Sequence, residues 1–165
     1  MNGETDGQKP AHYERKLAKT DLAEFCKHLP RPLVFTNGCF DIIHRGHIDY
    51  LDQARQLGAS LIVAVNSDDS VKRQNKGEDR PINPEEDRMV LLAALESVDA
   101  VVLFDDDTPL AVIMEIQPDV LVKGGDWPVD QIVGADQVIA AGGQVISMPF
   151  RYQRSTTSLL ERIRS

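Results

Sequence analysis

The sequence is poor in cysteine and has no long hydrophobic run. Its two cysteines, Cys26 and Cys39, show no CxxC spacing, so we interpret both as reduced thiols and exclude a disulfide framework and a cysteine-ligated zinc site. No apolar stretch approaches the ~20 residues that span a bilayer. Residues 1–10 also lack the charged and apolar regions of a signal peptide. We therefore expect a cytoplasmic protein with no membrane partner.

Basic residues are outnumbered by acidic ones. The 165 residues include 18 Lys and Arg against 26 Asp and Glu, a net charge of −8, so the overall field repels nucleic acid and anionic lipid. We therefore expect small-molecule partners and no nucleic acid, and an anionic ligand requires a local cationic pocket. With 42% apolar residues the chain fits one domain with an ordinary core. It has no internal repeat, and its only low-complexity segment is the acidic triplet 105–107.

Short apolar runs alternate along the chain with segments of helical periodicity. The runs predict five strands, at 33–36, 61–65, 100–104, 120–122 and 145–148. The segments predict six helices: one capped by Thr20 that ends at Leu29, then 46–57, 84–96, 109–117, 135–141 and a last one from about Ser155. Because parallel strands need crossovers that place helices over the sheet, we predict an α/β fold with a doubly wound, five-stranded parallel sheet of Rossmann-like type. Residues 1–19 are predicted to be a flexible tail and 20–165 the domain.

The predicted strands also say where a ligand should bind. In such sheets ligands lie beyond the carboxyl ends of the strands, at the switch point in strand order. This rule selects five loops: 37–47, 66–80, 105–108, 123–127 and 151–157. Four of them carry residue types that hold phosphate, namely histidine, Lys or Arg, glycine, or Ser and Thr at a helix start. We therefore expect an anion site at this edge.

The first loop contains two histidines, His44 and His47, with Gly46 between them at the start of a helix. Gly46 lets a ligand approach the backbone, the helix start favours an anion, and both imidazoles can donate to one phosphate. The alternative is a structural histidine pair or half of a metal site. For Asp41 we prefer a role in fixing the turn through backbone N–H groups over that of a general base.

The second loop carries four cations within 72–80. Such a run is often a solvated surface. Because it follows the second predicted strand at the ligand end, we predict a mobile lid in which Arg73, Lys76 and Arg80 grip an acceptor phosphate. Pro81 restricts the backbone of Arg80 to extended conformations, which makes Arg80 the strongest candidate. Arg88 either supports this site or pairs with Glu85.

Three more segments contribute candidates. In 123–127, Lys123 is placed to reach a phosphate, the glycines to admit a ligand and Asp126 to bond a hydroxyl, while Trp127 either stacks on a base or sugar or packs; the alternative is a plain turn. Ser155-Thr156-Thr157 opens the last helix, where it either holds phosphate or only caps. The triplet 105–107 suits Mg²⁺, although Asp107 or Thr108 is adequately explained as the cap of helix 109–117.

Two motifs carry a family resemblance. Residues 38–47, Gly-Cys-Phe-Asp-Ile-Ile-His-Arg-Gly-His, resemble the GxFDxxHxGH signature of the cytidylyltransferase-like nucleotidyltransferases, and 155–157 resembles their terminal IST(T/S) motif. Further segments resemble the adenylyltransferase half of ADP-heptose synthases: 36–41, 65–68, 76–77 with 80–81, 107–109 and 118–126. The resemblance runs from about residue 20 to 165 and lacks the sugar-kinase half, which implies a stand-alone form. Gln153-Arg154 depart from it, because a small or apolar residue is expected before Ser155.

The resemblance implies transfer of AMP from ATP to D-glycero-β-D-manno-heptose 1-phosphate, with release of pyrophosphate, for the lipopolysaccharide core. Mg²⁺ is expected, with its ligands unassigned. Residue chemistry and resemblance together assign catalysis to His44, His47 and Arg80, and acceptor-phosphate binding to Arg73, Lys76 and Arg80. The assigned nucleotide-binding residues are Thr36, Asn37, Gly38, Phe40, Asp41, Gly46, Lys123, Gly125, Asp126, Ser155, Thr156 and Thr157.

Two alternative functions stay open at this point. One is a cytidylyltransferase acting on glycerol 3-phosphate or a related alcohol phosphate, since motif spacing alone does not separate the two acceptors. The other is a non-catalytic nucleotide-binding module, which the fold by itself permits. The sequence also leaves the oligomeric state open, with a homodimer as one option.

Overall fold

Five parallel strands and seven α-helices alternate along the chain in the computed structural model, which describes residues 11–18, 21–74, 79–152 and 154–165. The strands are β1 (Leu33–Gly38), β2 (Ser60–Asn66), β3 (Ala100–Phe104), β4 (Val120–Gly124) and β5 (Gln144–Met148). The helices are α1 (Leu22–Lys27), α2 (Arg45–Arg55), α3 (Asp68–Arg73), α4 (Glu85–Ala93), α5 (Leu110–Ile116), α6 (Ala135–Ala140) and α7 (Thr156–Arg164). The predicted fold class is therefore confirmed.

The strand order places the switch point between β1 and β4. The sheet runs β3-β2-β1-β4-β5 with every neighbouring pair parallel. β1 is in register with β2 along its whole length, but it pairs with β4 only at Val34 with Val120 and Phe35 with Leu121. Beyond these pairs the two strands separate, which opens a crevice at their carboxyl ends, where such sheets bind ligands.

Alternate strand residues point to opposite faces and build two cores. On one face Phe35, Ile62 and Leu121 lie in a cluster with residues of α1, α5 and α6. On the other face Val34 and Val63 lie in a cluster with residues of α2 and α4. Each large aliphatic side chain removed from water in these clusters contributes about 1.5–3 kcal/mol of hydrophobic stabilisation. The two clusters define an α5/α6 face and an α2/α4 face.

The two cysteines lie in separate surroundings. Both Cys26, on α1, and Cys39, after β1, are buried and not disulfide-bonded, as the sequence indicated. Burial raises the pKa of Cys26 to about 11, so this thiol is protonated at neutral pH.

In the described ranges, no helix has the length and apolar character needed to cross a bilayer.

The described part of the predicted tail packs on the domain instead of lying loose. His12–Lys16 form a short 3₁₀-helix, and the Lys16 ammonium donates to the carbonyls of Leu95 and Val98 at 3.0 and 2.7 Å. Leu17 then forms a bridge with Val101 of β3. These three contacts are made by one ammonium group and the backbone, which produce no periodic pattern in the sequence. The sequence therefore did not predict them. Residues 1–10 and 19 lie outside the described residues.

Two predicted helix caps differ from the observed ones. The predicted cap Thr20 lies outside the described residues, and the cap of α1 is Asp21, whose carboxylate accepts from the Glu24 N–H at 3.0 Å. Asp107 does not cap α5, which begins at Leu110 with Pro109 as its N-cap and no side-chain cap bond. The Asp107 carboxylate is instead held by Arg73, at 2.7 Å.

Candidate active site

The turn after β1 brings the two predicted histidines together. The imidazoles of His44 and His47 stack with their centroids 3.8 Å apart and their planes 18° apart. Phe40 supports the pair from the side, with its ring 5.2 Å from that of His47 in an edge-on arrangement. Phe40 itself has a left-handed backbone, with φ of 49°, which is strained for a bulky residue and must be held by its surroundings.

Gly46 is required by this arrangement. A β-carbon at Gly46 would lie 3.0 Å from Cε1 of His44 and 3.4 Å from the Tyr152 carbonyl oxygen. Any side chain there would push on the imidazole of His44 and fill the space over the start of α2. Gly46 thus keeps room for the His44 ring at this helix start, and its predicted role in admitting a ligand stays a prediction.

The half-buried histidine pair is held in its neutral form. Burial, together with the neighbouring His44, lowers the pKa of His47 to about 4, and burial also lowers the pKa of His44. The Nδ1 atoms of both rings are buried without a hydrogen-bond partner among the described residues. Buried polar atoms without a partner cost free energy, so each calls for an explanation. A neutral imidazole can still donate a hydrogen bond, so an anion at the start of α2 is a suitable acceptor beside this pair.

The depressed pKa of His47 predicts how stability depends on pH. An unfolded chain takes up a proton near pH 6.5, whereas folded His47 resists protonation down to about 4. Stability contributed by neutral His47 is therefore present above pH 6.5 and is lost as the pH falls towards 4. We expect His47 to titrate near pH 4 by NMR. His47→Gln should flatten the fall in unfolding free energy over this window, and a His47 midpoint near 6.5 would contradict the prediction.

A buried ion pair ties the histidine turn to the segment before α4. Asp41, only 1% exposed, accepts from the Arg80 guanidinium and from the backbone N–H groups of Ile82 and Asn83, at 2.8 and 2.9 Å. This agrees with the prediction that Asp41 accepts backbone N–H groups, although those groups belong to a distant segment. Its oxygens are thereby occupied, so Asp41 lies beneath the site and not on its surface.

Arg80 differs from its predicted place on a mobile lid. Its side chain is 9% exposed and committed to Asp41, because a guanidinium taken out of water needs a charged partner. Of the other predicted lid cations, Lys72 and Arg73 belong to α3, a helix that the sequence analysis assigned to a loop. Ser67 caps this helix by accepting from the Ser70 N–H at 3.0 Å. Lys76 lies outside the described residues.

Arg88 is a site residue that sequence reasoning undervalued. It is fully buried on α4 and donates to the carbonyl of Cys39 at 2.6 Å, to the carbonyl of Asn83 at 3.0 Å and to the Asp68 carboxylate at 2.8 Å. The predicted pairing with Glu85 is wrong, because Glu85 accepts from the Asp68 N–H instead. Arg88 thus fixes the carbonyl that precedes strained Phe40. The signal was its spacing, four residues before buried Leu92 on the same helix face.

The acidic triplet is committed to protein contacts. Asp107 and the Asp105 carbonyl both accept from Arg73, and the Asp105 carboxylate accepts from the Ser67 hydroxyl, which lowers its pKa. In the part of the chain that is described, no group of three or more His, Cys, Asp or Glu side chains is arranged to hold a metal. These residues therefore do not fit a resident Mg²⁺ site. Arg73 is partly exposed, but its guanidinium is paired with Asp105 and Asp107, and it lines neither cavity of the crevice between β1 and β4, so its predicted phosphate role stays a prediction.

Two cavities meet at the crevice between β1 and β4, and Asn37 and Lys123 line both. The first, about 120 Å³, is on the α2/α4 face and is lined by Asn37, Gly38, Cys39, Phe40, His47, Tyr50, Lys123, Gly124 and Phe150. The second, about 190 Å³, is on the α5/α6 face and is lined by Asn37, Pro109, Leu121, Lys123, Trp127, Gln131, Ile132 and Val133. Most predicted residues of β1 and β4 thus gather here.

Thr36 is an exception among the predicted nucleotide ligands. It is fully buried within β1, and its hydroxyl is hydrogen-bonded to that of Tyr50 at 2.6 Å. Burial raises the pKa of Tyr50 to about 12, which keeps this phenol neutral. Thr36 is thus enclosed by Tyr50, while its neighbour Asn37, one residue nearer the carboxyl end of β1, lines the cavities.

The loop after β4 holds Trp127 in a fixed position. Its indole N–H donates to the Gly124 carbonyl at 3.2 Å, and its backbone N–H donates to the Ser147 hydroxyl at 2.8 Å. Gly125 has φ of 112°, and a β-carbon there would lie 2.8 Å from the indole nitrogen. Predicted Asp126 is exposed on the same turn. Gly125 therefore leaves room for the indole ring of Trp127, a role that the motif alone did not indicate.

The predicted second phosphate-binding helix begins beside the histidine turn. Ser155 caps α7 by accepting from the Ser158 N–H at 3.1 Å, so its hydroxyl oxygen already serves as a cap. The segment before it lies over α2, because Tyr152 accepts from Arg45 at 2.6 Å and the charge of Arg154 lowers the pKa of His44. The first N–H groups of α7, including those of Thr156 and Thr157, have no intrahelical acceptor. They are therefore suited to an anion near the histidines.

A larger open groove of about 620 Å³ lies along the outer side of α2. Arg45, Asp49, Asp52, Arg55 and Glu96 line it together with Ile48, Leu95, Ser97 and Tyr152. Its carboxylates repel phosphate, and it contains neither histidine of the pair. The anion site therefore belongs to the smaller cavities at the switch point.

The fold and the histidine turn define a nucleotidyltransferase, and comparison with known proteins agrees. The chain belongs to the cytidylyltransferase-like family, whose model matches residues 35–162. It is 54% identical over 157 residues to a D-beta-D-heptose 1-phosphate adenylyltransferase of Bordetella bronchiseptica, a match that covers 93% of this chain and 97% of that protein. It is also 58% identical over 132 residues to the bifunctional protein HldE of Alcanivorax borkumensis, covering 80% of this chain but only 28% of HldE.

Solved structures give the same fold. A lipopolysaccharide core biosynthesis protein of Thermoplasma volcanium is 30% identical, with a TM-score of 0.58 over 74% of this chain and 98% of that one. A pantoate-beta-alanine ligase of Francisella tularensis aligns with a TM-score of 0.54 over 86% of this chain and 68% of that one. At 16% identity the ligase is a likeness of fold alone.

Proposed function

We propose that this protein transfers AMP from ATP to D-glycero-β-D-manno-heptose 1-phosphate, giving ADP-heptose and pyrophosphate for the lipopolysaccharide core. The observation that carries the proposal is the stacked pair of neutral histidines over Gly46 at the switch point of the sheet. The acceptor is argued from the 54% identity to a named heptose 1-phosphate adenylyltransferase over nearly the full length of both chains.

The proposed reaction is a single in-line displacement. An oxygen of the acceptor phosphate forms a bond to the α-phosphorus of ATP, and the bond from that phosphorus to the oxygen bridging the β-phosphate breaks, so pyrophosphate leaves. Catalysis is then mostly positioning and stabilisation of charge on the oxygens. The acceptor oxygen is already anionic, so no general base is needed, in keeping with the occupied carboxylate of Asp41.

Hydrogen-bond donors at the starts of two helices, α2 and α7, bind different phosphates of ATP. His44 and His47 contact the α- and β-phosphates at the start of α2, and the N–H groups of Thr156 and Thr157 hold the β- and γ-phosphates at the start of α7. Lys123, between the two cavities, faces the position where acceptor and α-phosphate meet. Mg²⁺ enters as part of the substrate, bound to ATP, since the described carboxylates offer no resident site.

Two of the predicted acceptor-phosphate residues receive different places in this proposal. Arg80 acts through Asp41 as a positioning residue, and Arg73 binds the acceptor phosphate only by leaving its partners Asp105 and Asp107. A cytoplasmic location suits an enzyme whose substrates are ATP and a sugar phosphate, and it stays a prediction. The homodimer also stays a prediction.

A crossed pyrophosphate-release assay tests the proposed function. ATP and CTP are each combined with D-glycero-β-D-manno-heptose 1-phosphate, mannose 1-phosphate and glycerol 3-phosphate, with acceptor-free reactions as controls. We expect release only with ATP and a sugar 1-phosphate, with the heptose preferred. Release from CTP and glycerol 3-phosphate would replace the proposal with the alcohol-phosphate alternative, and no release from any pair would indicate a binding module.

A further inference from the structure

The cavity on the α5/α6 face contains none of the histidine and α7 groups that bind the triphosphate in the proposed function. It measures about 190 Å³, and its floor and walls are aliphatic at Pro109, Leu121, Ile132 and Val133. Polar groups enter it from Asn37, Lys123 and Gln131. An apolar cavity with a few convergent polar groups, at the switch point of an α/β sheet, has the character of a small-molecule site.

Trp127 gives this cavity a preformed aromatic wall. Its side chain is 47% exposed, yet its edge is fixed by the bond from the indole N–H to the Gly124 carbonyl. A large apolar side chain that is half exposed to water is unfavourable, because its apolar surface stays hydrated. Fixing that side chain in advance reduces the entropy lost when a ligand binds. An indole face presents a flat apolar surface to which the C–H face of a sugar ring can pack, while amides such as Gln131 and Asn37 pair with hydroxyls.

The two cavities lie on opposite faces of the sheet, so each suits a different part of the substrates. The cavity lined by His47 lies on the α2/α4 face with Tyr50 and Phe40, and α7 begins over α2 beside it. The cavity lined by Trp127, the Trp127 cavity, lies on the other face with Leu121 and Ile132. An in-line displacement needs the acceptor opposite the leaving group, so an acceptor belongs across Asn37 and Lys123 from the helix starts that hold pyrophosphate.

Resting on the proposed function, we infer that the Trp127 cavity is the subsite for the sugar ring of the acceptor. The ring packs on the indole face, its hydroxyls meet Gln131 and Asn37, and its phosphate points through the crevice towards Lys123 and the α-phosphorus. Trp127 and Gln131 are then the residues that select a sugar phosphate over a shorter alcohol phosphate.

The chain has a single tryptophan, so its fluorescence reports on this cavity directly. Wild-type protein is titrated separately with D-glycero-β-D-manno-heptose 1-phosphate and with ATP. We expect the sugar phosphate alone to change the emission of Trp127 with a saturable dependence, and ATP alone to leave it nearly unchanged. A saturable response to ATP and none to the sugar phosphate would make this the adenine site and overturn the inference.

Steady-state kinetics provide the second arm. Trp127→Ala should raise the KM for the heptose phosphate by about tenfold, the size of one lost aromatic contact, with the KM for ATP changed less than about twofold. Trp127→Phe should recover part of the loss, and Gln131→Ala should narrow the preference for the heptose over glycerol 3-phosphate. Ile139→Ala, an exposed apolar residue on α6 outside the cavity, is the matched control.

The outcomes separate this inference from the proposed function. If wild-type protein turns over ATP with the heptose phosphate but Trp127→Ala keeps its acceptor KM, the subsite is wrong and the function stands. If wild-type protein shows neither turnover nor a fluorescence response to the sugar phosphate, both fail.

Discussion

Replacing either His44 or His47 by alanine is expected to lower kcat by about 10²-fold or more, while the folded structure is retained. Each change removes a donor from the place where charge grows on the phosphate oxygens during transfer, and a single preorganised donor of this kind is worth about 10²–10³ in rate. The rings are only half-buried and stack mainly on each other, so the free energy of unfolding should change little. The measurements are kcat by pyrophosphate release and unfolding by denaturant for each variant.

His28→Ala is the matched control, because His28 lies exposed at the end of α1, away from the crevice. It should retain wild-type kcat. A secondary effect distinguishes the coupled pair from two independent histidines. Since the charge of His44 contributes to the low pKa of His47, His44→Ala should move the titration of His47 upward from about 4. Near-normal kcat in the folded double variant would remove the histidines from the mechanism.

Asp41→Asn is expected to cost about 3–5 kcal/mol of unfolding free energy, the usual penalty for removing one partner of a buried ion pair. Arg80 would be left charged and nearly buried, and the single amide oxygen could accept either from Arg80 or from the N–H groups of Ile82 and Asn83, so the amide NH2 would face donors on the other side. Because Asp41 also anchors the turn that carries the histidines, kcat should fall as well. Chemical denaturation measures the first effect and pyrophosphate release the second.

Two comparisons make this result specific to the buried pair. Lys72→Met breaks the exposed pair with Asp69 on α3 and should leave the unfolding free energy nearly unchanged, because water screens an exposed ion pair. The double variant Asp41→Asn with Arg80→Met should regain part of the stability lost in Asp41→Asn, because no unpaired charge remains. Equal stability of Asp41→Asn and wild type would mean that the ion pair does not hold the turn.

The sequence predicted well whatever depends on local patterns. The five strands lie within two residues of their predicted bounds, since alternating apolar runs between helical segments are visible without knowledge of the fold. The histidine turn was found for a similar reason, because Gly46 and both histidines lie within one short motif at a helix start. In each case the contacts that matter are between residues close in sequence.

Partners distant in sequence were not predictable in the same way. Arg80 was expected on a lid because its loop follows the second strand at the ligand end, but it pairs with Asp41, which lies in another loop. Arg88 was given a local partner, whereas its donors reach Cys39 across the sheet edge and Asp68 on another helix. Thr36 belongs to the motif, but it is fully buried, and its hydroxyl is bonded to that of Tyr50 on α2. Burial converts these polar residues from ligands of substrate into supports of the turn.

The fate of labelled oxygen tests whether the acceptor phosphate attacks the α-phosphorus of ATP. D-glycero-β-D-manno-heptose 1-phosphate carrying isotopically labelled phosphate oxygens is incubated with wild-type protein, ATP and Mg²⁺, and the products are analysed by mass spectrometry. If the acceptor phosphate attacks the α-phosphorus, all label is retained in ADP-heptose and the pyrophosphate is unlabelled. Labelled pyrophosphate, or the absence of ADP-heptose, would contradict it.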